Sequence, residues 1–275
     1  MTGPTVISLS IGLLVLSGFF YGLERLRAAD RRVARTPSDW RIDLTYWFFT
    51  PLVTRLITRI TVVLVFVLIA RSQGLTLDAF RAVFTTRQTW ASSVPLWVQA
   101  PLILLLTDLL AYWTHRLFHG RHLWKFHAVH HSSTALDWLS SVRLHPVNDV
   151  VTRVVQVVPL YWLGFNGSAL AAVVPFLTFY ALLLHANLNW SYGPFRFAIA
   201  SPLFHRWHHT SEQEGQDKNF AGLFPFLDVV FGTFYMPAGR EPERFGVSGE
   251  SVPDGFWRQL VYPFRRSRPG APPGV

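Results

Sequence analysis

The feature that most constrains this chain is a series of uncharged stretches too long to be the buried face of a soluble domain. Thr5 to Leu23 carries no charge and approaches the ~20 residues needed to cross ~30 Å of hydrocarbon. No basic segment precedes it and no small-x-small site follows it, so it reads as an anchor and not a cleaved leader. Ile42 to Ala70 is a second span, with Arg55 and Arg59 one turn apart on a face that snorkels or turns into the bundle. Pro95 to Thr114 is a third, its one charge being Asp108. From Val154 to Leu184 there is again no charge, but Gly164-Phe165-Asn166-Gly167-Ser168 breaks the stretch into two arms. Turn residues there predict a helical hairpin that returns to its starting face. The expected fold is therefore all-α: a membrane stem of about three spans plus a hairpin, carrying a helical cap.

The 25 basic residues exceed the 16 acidic ones by +9. A nucleic-acid binder gathers its basic residues on one solvated face, whereas here they punctuate apolar runs, so no nucleic-acid partner is expected. Arg25, Arg27, Arg31, Arg32, Arg35 and Arg41 directly follow the first span, which the positive-inside rule assigns to the cytoplasm. If the spans cross in turn, Thr114 to Asp149 and His185 to Val275 share that side. Aromatic residues (23 Phe, 11 Trp, 8 Tyr) outnumber the charged ones, which argues against disorder over most of the length. The basic, Pro/Gly-rich tail from Phe264 is the exception, read as disordered and surface-associated. Residues 1–94 form N-terminal membrane helices and loops, 95–240 the histidine-rich unit with its hairpin, and 241–275 a C-terminal segment.

All eleven histidines lie in the two segments placed on the cytoplasmic side. Nine fall into a pattern: His115-x3-His119, His127-x2-His130-His131, His185, and His205-x2-His208-His209. At about 100° per residue, positions i, i+3 and i+4 of a helix lie within an arc of ~100°, so each HxxHH turns three imidazoles to one side. Imidazoles so crowded repel when protonated, and neutral imidazole is the commonest metal ligand, accepted by iron, copper, nickel and zinc. One ion takes about three protein ligands in a catalytic site, so this number implies two. With no cysteine in the chain, thiolate zinc sites, iron–sulfur clusters and disulfides are excluded. The Glu-x-x-His motifs of soluble di-iron bundles are missing from these segments.

Asp108, two turns before His115 on the same face, is a candidate acceptor for an imidazole N–H. His145, Asn189 and Asp228 are further candidates for such supporting contacts. His122 breaks the spacing and is left at the water interface.

Asp108-x6-His115-Arg116-x2-His119 and Leu123-Trp124-Lys125-Phe126-His127-Ala128-Val129-His130-His131-Ser132 resemble the first boxes of the fatty acid hydroxylase/sterol desaturase superfamily. Arg143-Leu144-His145-Pro146, His185-Ala186-Asn187, Phe204-His205-Arg206-Trp207-His208-His209 and Asp217-Lys218-Asn219-Phe220 resemble its later blocks, in order. So do Asp228 and Phe231-Gly232-Thr233. The resemblance covers about Asp108 to Tyr235. It implies an integral membrane, O2-dependent di-iron enzyme acting on a lipid such as a fatty acyl chain, sterol, carotenoid or alkylglycerol. Its implied ligands are the nine patterned histidines. Some members carry HxxxH where this chain has His185 and Asn189, which leaves either a water-mediated contact or one ligand fewer. No electron-transfer domain is visible, so electrons are expected from a separate NAD(P)H-linked protein. Hydroxylation is the leading reading, with desaturation by the same site as its rival. A dizinc hydrolase lacks its HExxH or GxSxG signature here. A metal transporter would place ligands within the spans, which are almost free of polar groups.

Overall fold

The computed structural model describes residues 4–27, 29, 35–86, 89–165, 167–249 and 251–265. Most of the C-terminal tail, Arg31, Arg32 and the turn residue Asn166 lie outside them. The described residues are helical, with no strand beyond an isolated bridge between Thr210 and Phe245.

The stem begins with α1 (Val6–Arg27). After a gap, α2 (Pro37–Phe49) starts on a capping box, Thr36 accepting from Asp39 N–H with Pro37 in the first turn. It runs through a π turn, Thr50–Thr54, into α3 (Arg55–Ser72). Pro51 has no N–H to give the helical ladder, and the widened turn at that point lets the helix continue. Sequence patterning placed one span over Ile42–Ala70. The apolar path instead extends from Pro37 to Ser72, 36 residues, well beyond the ~20 that a crossing requires. The α2 end is committed elsewhere, because Asp39 and Asp43 are buried against Arg143 of the cap.

The polar stretch that follows holds two short helices, α4 (Leu77–Thr86) and α5 (Trp90–Ser93). Next comes α6 (Leu96–Phe118), which is long and apolar enough to cross a membrane, as are α1, the α2–α3 path and the later helix Gly167–His185. α7 (Trp124–His131) carries the first HxxHH. The hairpin is α8 (Pro146–Trp162) and α9 (Gly167–His185). Their 17 and 19 residues span about 26 and 29 Å. α8 is the less apolar arm, carrying Asp149, Arg153 and Gln156, and packs on α3 and α6. At the hairpin tip Gly164 adopts φ +83°, and a Cβ there would lie 2.4 Å from the Thr89 side chain, so only glycine fits.

The cap is completed by α10 (Pro202–His208), which with its C-cap His209 carries the second HxxHH, then α11 (Phe226–Val230) and α12 (Phe256–Val261). Ser201 caps α10 by accepting from Phe204 N–H. The end of α1 meets the cap where Glu24 Oε1 accepts from Asn187 N–H at 2.9 Å. Arg35 pairs with Asp43 and Asp137. The C-terminal ends of α1, α6 and α9 therefore converge at one end of the stem, where the histidines are.

Candidate metal centre

The ends of two long helices and the whole of two short ones bring the nine patterned histidines together in two groups. Group A is His115, His119, His127, His131 and His208; group B is His130, His185, His205 and His209. Within each, one nitrogen per ring lies within 4.8 Å of all the others. Each HxxHH divides between the groups. Its i,i+4 pair stays together, His127 with His131 in A and His205 with His209 in B, while its third member crosses over, His130 to B and His208 to A. The stem supplies the rest: His115 from the last turn of α6 and His119 from its C-cap, His185 from the last residue of α9. The groups touch through His131 and His209, whose rings stack at 4.4 Å.

Hydrogen bonds fix which nitrogen each ring presents. His115 Nδ1 lies 2.8 Å from Phe220 O, His130 Nδ1 3.0 Å from Arg143 O, His185 Nδ1 2.8 Å from Ala181 O and His208 Nδ1 2.8 Å from Lys218 O. His127 Nδ1 meets Asn148 Oδ1 at 2.7 Å and His119 Nδ1 meets Asp217 Oδ1 at 2.9 Å. A carbonyl or carboxylate oxygen only accepts, so Nδ1 carries the proton in all six and Nε2 is left with a bare lone pair. Burial first, then neighbouring imidazoles, hold His127, His131, His208 and His209 well below the usual histidine range. These rings are neutral at pH 7, the state that binds a metal.

Between rings whose Nδ1 is so engaged, the Nε2 atoms meet where no hydrogen bond can form. His115 Nε2 and His127 Nε2 are 2.9 Å apart, and His130 Nε2 and His185 Nε2 are 3.1 Å apart. His205, whose Nδ1 is buried without a partner, brings its Nε2 to 3.2 Å from His185 Nε2 and 3.1 Å from His209 Nε2. Nε2 of His119, His131 and His208 is buried with no partner. Converging lone pairs repel unless a cation sits among them. Two nitrogens at right angles and ~2.1 Å from one ion would be about 3 Å apart, which matches these edges. The donor set fits a metal in each group.

The four supporting candidates fare differently. Asp108 touches no imidazole: its oxygens accept the N–H groups of Gly222, Leu223 and Phe224 at 2.8, 3.1 and 2.7 Å. Asp228 accepts from Phe220 N–H, Ala221 N–H and the Thr233 hydroxyl. Together they pin the 220–224 segment, whose Phe220 carbonyl orients His115. His145 lies outside both groups; it caps α8, its Nδ1 accepting from Val147 N–H while Nε2 donates to Leu260 O. Asn189 also lies outside both groups and is exposed, because α9 ends at His185 and the i+4 position is no longer on the helix. Group B accordingly has four histidines and group A five. His122 is exposed.

Asn148, Asp217 and the four backbone carbonyls escaped sequence reasoning. Carbonyls leave no trace in side-chain patterns. Asp217 stands in a block already singled out, where it and Asn219 take left-handed conformations (φ 54° and 58°) that Asp and Asn tolerate best. Asn148 stands one turn after His145, where its alignment with α7 depends on how α8 packs.

Comparison with known proteins finds a family whose sequence resembles the histidine-bearing part of the chain. The sequence model of the fatty acid hydroxylase family matches residues 100–233. An ornithine lipid hydroxylase (OlsE) from Rhizobium tropici is 31% identical over 178 residues, 64% of this chain and 54% of that protein. An alkylglycerol monooxygenase from Danio rerio is 33% identical over 146 residues, 53% of this chain and 31% of that protein. A very-long-chain aldehyde decarbonylase from Oryza sativa subsp. japonica is 27% identical over 181 residues, 58% of this chain and 28% of that protein. The chain thus spans about half the length of the first relative and less of the others. No solved structure matches.

Proposed function

We propose that the chain, whose residues 100–233 match the fatty acid hydroxylase family, belongs to that superfamily and is an integral membrane di-iron monooxygenase that hydroxylates an aliphatic carbon of a lipid. The observation that carries this reading is the pair of all-imidazole groups, in which Nδ1–H contacts of six of the nine rings leave their Nε2 lone pairs facing into the groups. Each group would hold one iron: His115, His119, His127, His131 and His208 the first, His130, His185, His205 and His209 the second. What two reduced irons supply when bound is O2 activation: one oxygen atom enters a C–H bond and the other leaves as water, with two electrons and two protons from outside.

The chain's own residues do the rest. The carbonyls of Phe220, Arg143, Ala181 and Lys218 hold the rings in one tautomer and orientation. Asp217 places a negative charge on the His119 N–H, offsetting part of the charge that an all-nitrogen site accumulates. Phe118 and Phe220, both buried, pack against the histidines and keep water from a reactive site.

Ornithine lipids and alkylglycerols are the first substrates to try, by analogy with the named relatives. Desaturation would use the same site and is decided by which product forms. A dizinc hydrolase reading lacks a carboxylate in either group. We assign the site to the cytoplasmic face, since the arginine-rich segment after α1 reaches the cap through Arg35 and Asp137. Electrons would come from a separate redox protein on that side. Residues 95–240 are assigned as the catalytic unit and 1–94 as the supporting membrane helices, although Asp39 and Asp43 of the latter reach into the cap. Incubating the iron-loaded protein with reductase, carrier, NAD(P)H and a lipid panel tests the function. An 18O-labelled hydroxy-lipid formed from 18O2 is expected, and O2-independent release of a headgroup or acyl chain would refute it.

A further inference from the structure

The cap has an apolar face that none of the described residues covers. In α11, Val229 and Val230 point outward, Val230 being 70% exposed, while the intervening charge of that helix, Asp228, is fully buried. In the 3-10 turn Gly193–Phe197, Phe195 is 69% exposed, and Phe197 and Ile199 beside it are exposed as well. The two segments adjoin: Ala200 N–H donates to Leu223 O at 2.9 Å, and the Phe197 ring lies 5.0 Å from Phe234. The outward charge on them is Arg196, whose guanidinium lies over the Phe197 ring. Contiguous apolar surface of this kind marks contact with a membrane or a partner.

Helix α6 says which. Its exposed flank runs through Trp113 and Leu117 into the last turn of a membrane-length helix. Phe231, directly after α11, packs against Trp113 at 4.8 Å. α11 is therefore laid beside the end of that span, level with His115 and His119. The Arg116 guanidinium rests over the Trp113 ring at 5.6 Å. A tryptophan with a snorkelling arginine is the pairing favoured where acyl chains give way to headgroups.

We infer that the bilayer itself covers this face: α11 and the Gly193–Phe197 turn sink into the headgroup–acyl boundary beside the C-terminal end of α6, so the cap is partly embedded. The rings of Phe231, Tyr112 and Phe220 then stand in file from the embedded face to group A, at 5.1 and 5.9 Å, with Phe220 5.5 Å from His115. The inference rests on α6 crossing the membrane, not on the metals or the reaction.

The chain has no cysteine, so nitroxide labels can be placed one at a time. V230C and F195C would be compared with L64C on α3 as the hydrocarbon reference and E243C as the aqueous one. All four are reconstituted in phosphatidylcholine/phosphatidylglycerol vesicles, and unchanged thermal melting verifies each fold. Collision of the label with O2, which concentrates in acyl chains, is measured against collision with a water-soluble nickel chelate. The O2-to-nickel ratio at Val230 and Phe195 is expected to approach that at Leu64 and exceed that at Glu243 several-fold. Ratios equal to that at Glu243 would overturn the inference and leave the face to water, a protein partner or a second copy.

Discussion

His130 and His185 approach each other through Nε2 atoms 3.1 Å apart, although each ring already gives its N–H to a backbone carbonyl, Arg143 O for one and Ala181 O for the other. Neither can donate to the other, so the contact is stable only with a cation between them. Stripping the metal with a chelator should therefore destabilise the protein. Each buried, unsatisfied nitrogen costs about 1–3 kcal/mol, and several converge here. A lower Tm after chelation, restored by anaerobic Fe(II), is the expected result, read by thermal melting in detergent.

Because each HxxHH divides between the groups, neighbouring histidines should affect different metals. His130→Ala should empty group B and leave group A filled, whereas His131→Ala should do the reverse. Each should lower bound metal from two ions per chain towards one and abolish turnover. His122→Ala, at an exposed position, should keep both metals. Elemental analysis of the three purified variants checks the assignment, and equal metal loss in all three would contradict it.

Asn148 and Asp217 orient His127 and His119 of group A alone. Asn148→Leu and Asp217→Ala should each weaken metal binding or turnover by roughly 10–100-fold, the usual cost of losing an outer contact to a ligating histidine. Competition with a graded chelator should show the loss confined to one of the two ions.

Asp43 is fully buried and bonded to both Arg35 and Arg143, and Arg143 also bonds Asp39. Removing one partner of such a network leaves buried charge uncompensated. Asp43→Ala should cost about 3–5 kcal/mol of stability and, because the Arg143 carbonyl orients His130, disturb group B before group A. Melting and metal stoichiometry together test this.

The histidines were legible because a repeated spacing is a geometric instruction: i and i+4 fix two rings on one face whatever the helix packs against. The spans were legible for a similar reason, since length without charge has few uses. Asp108 and Asp228 stood out as acids in apolar surroundings, but a sequence does not say what a carboxylate accepts. Both turned to backbone amides of the 220–224 segment, so they act on His115 through the Phe220 carbonyl. His145 and Asn189 drew notice through chemistry-bearing neighbours. The first was taken by the N-terminus of α8, and the second fell past the end of α9. The π turn at Pro51 was missed because the apolar run continues through it, and the bonds of Asp39 and Asp43 to Arg143 because that partner lies about a hundred positions away.

The most direct test is the metal content of protein purified in detergent after expression with ample iron, combined with Mössbauer spectroscopy. Two irons per chain, antiferromagnetically coupled when oxidised, are expected from adjoining groups whose His131 and His209 rings stack. Zinc alone, persisting after anaerobic Fe(II) reconstitution, or a single uncoupled iron would contradict the di-iron account.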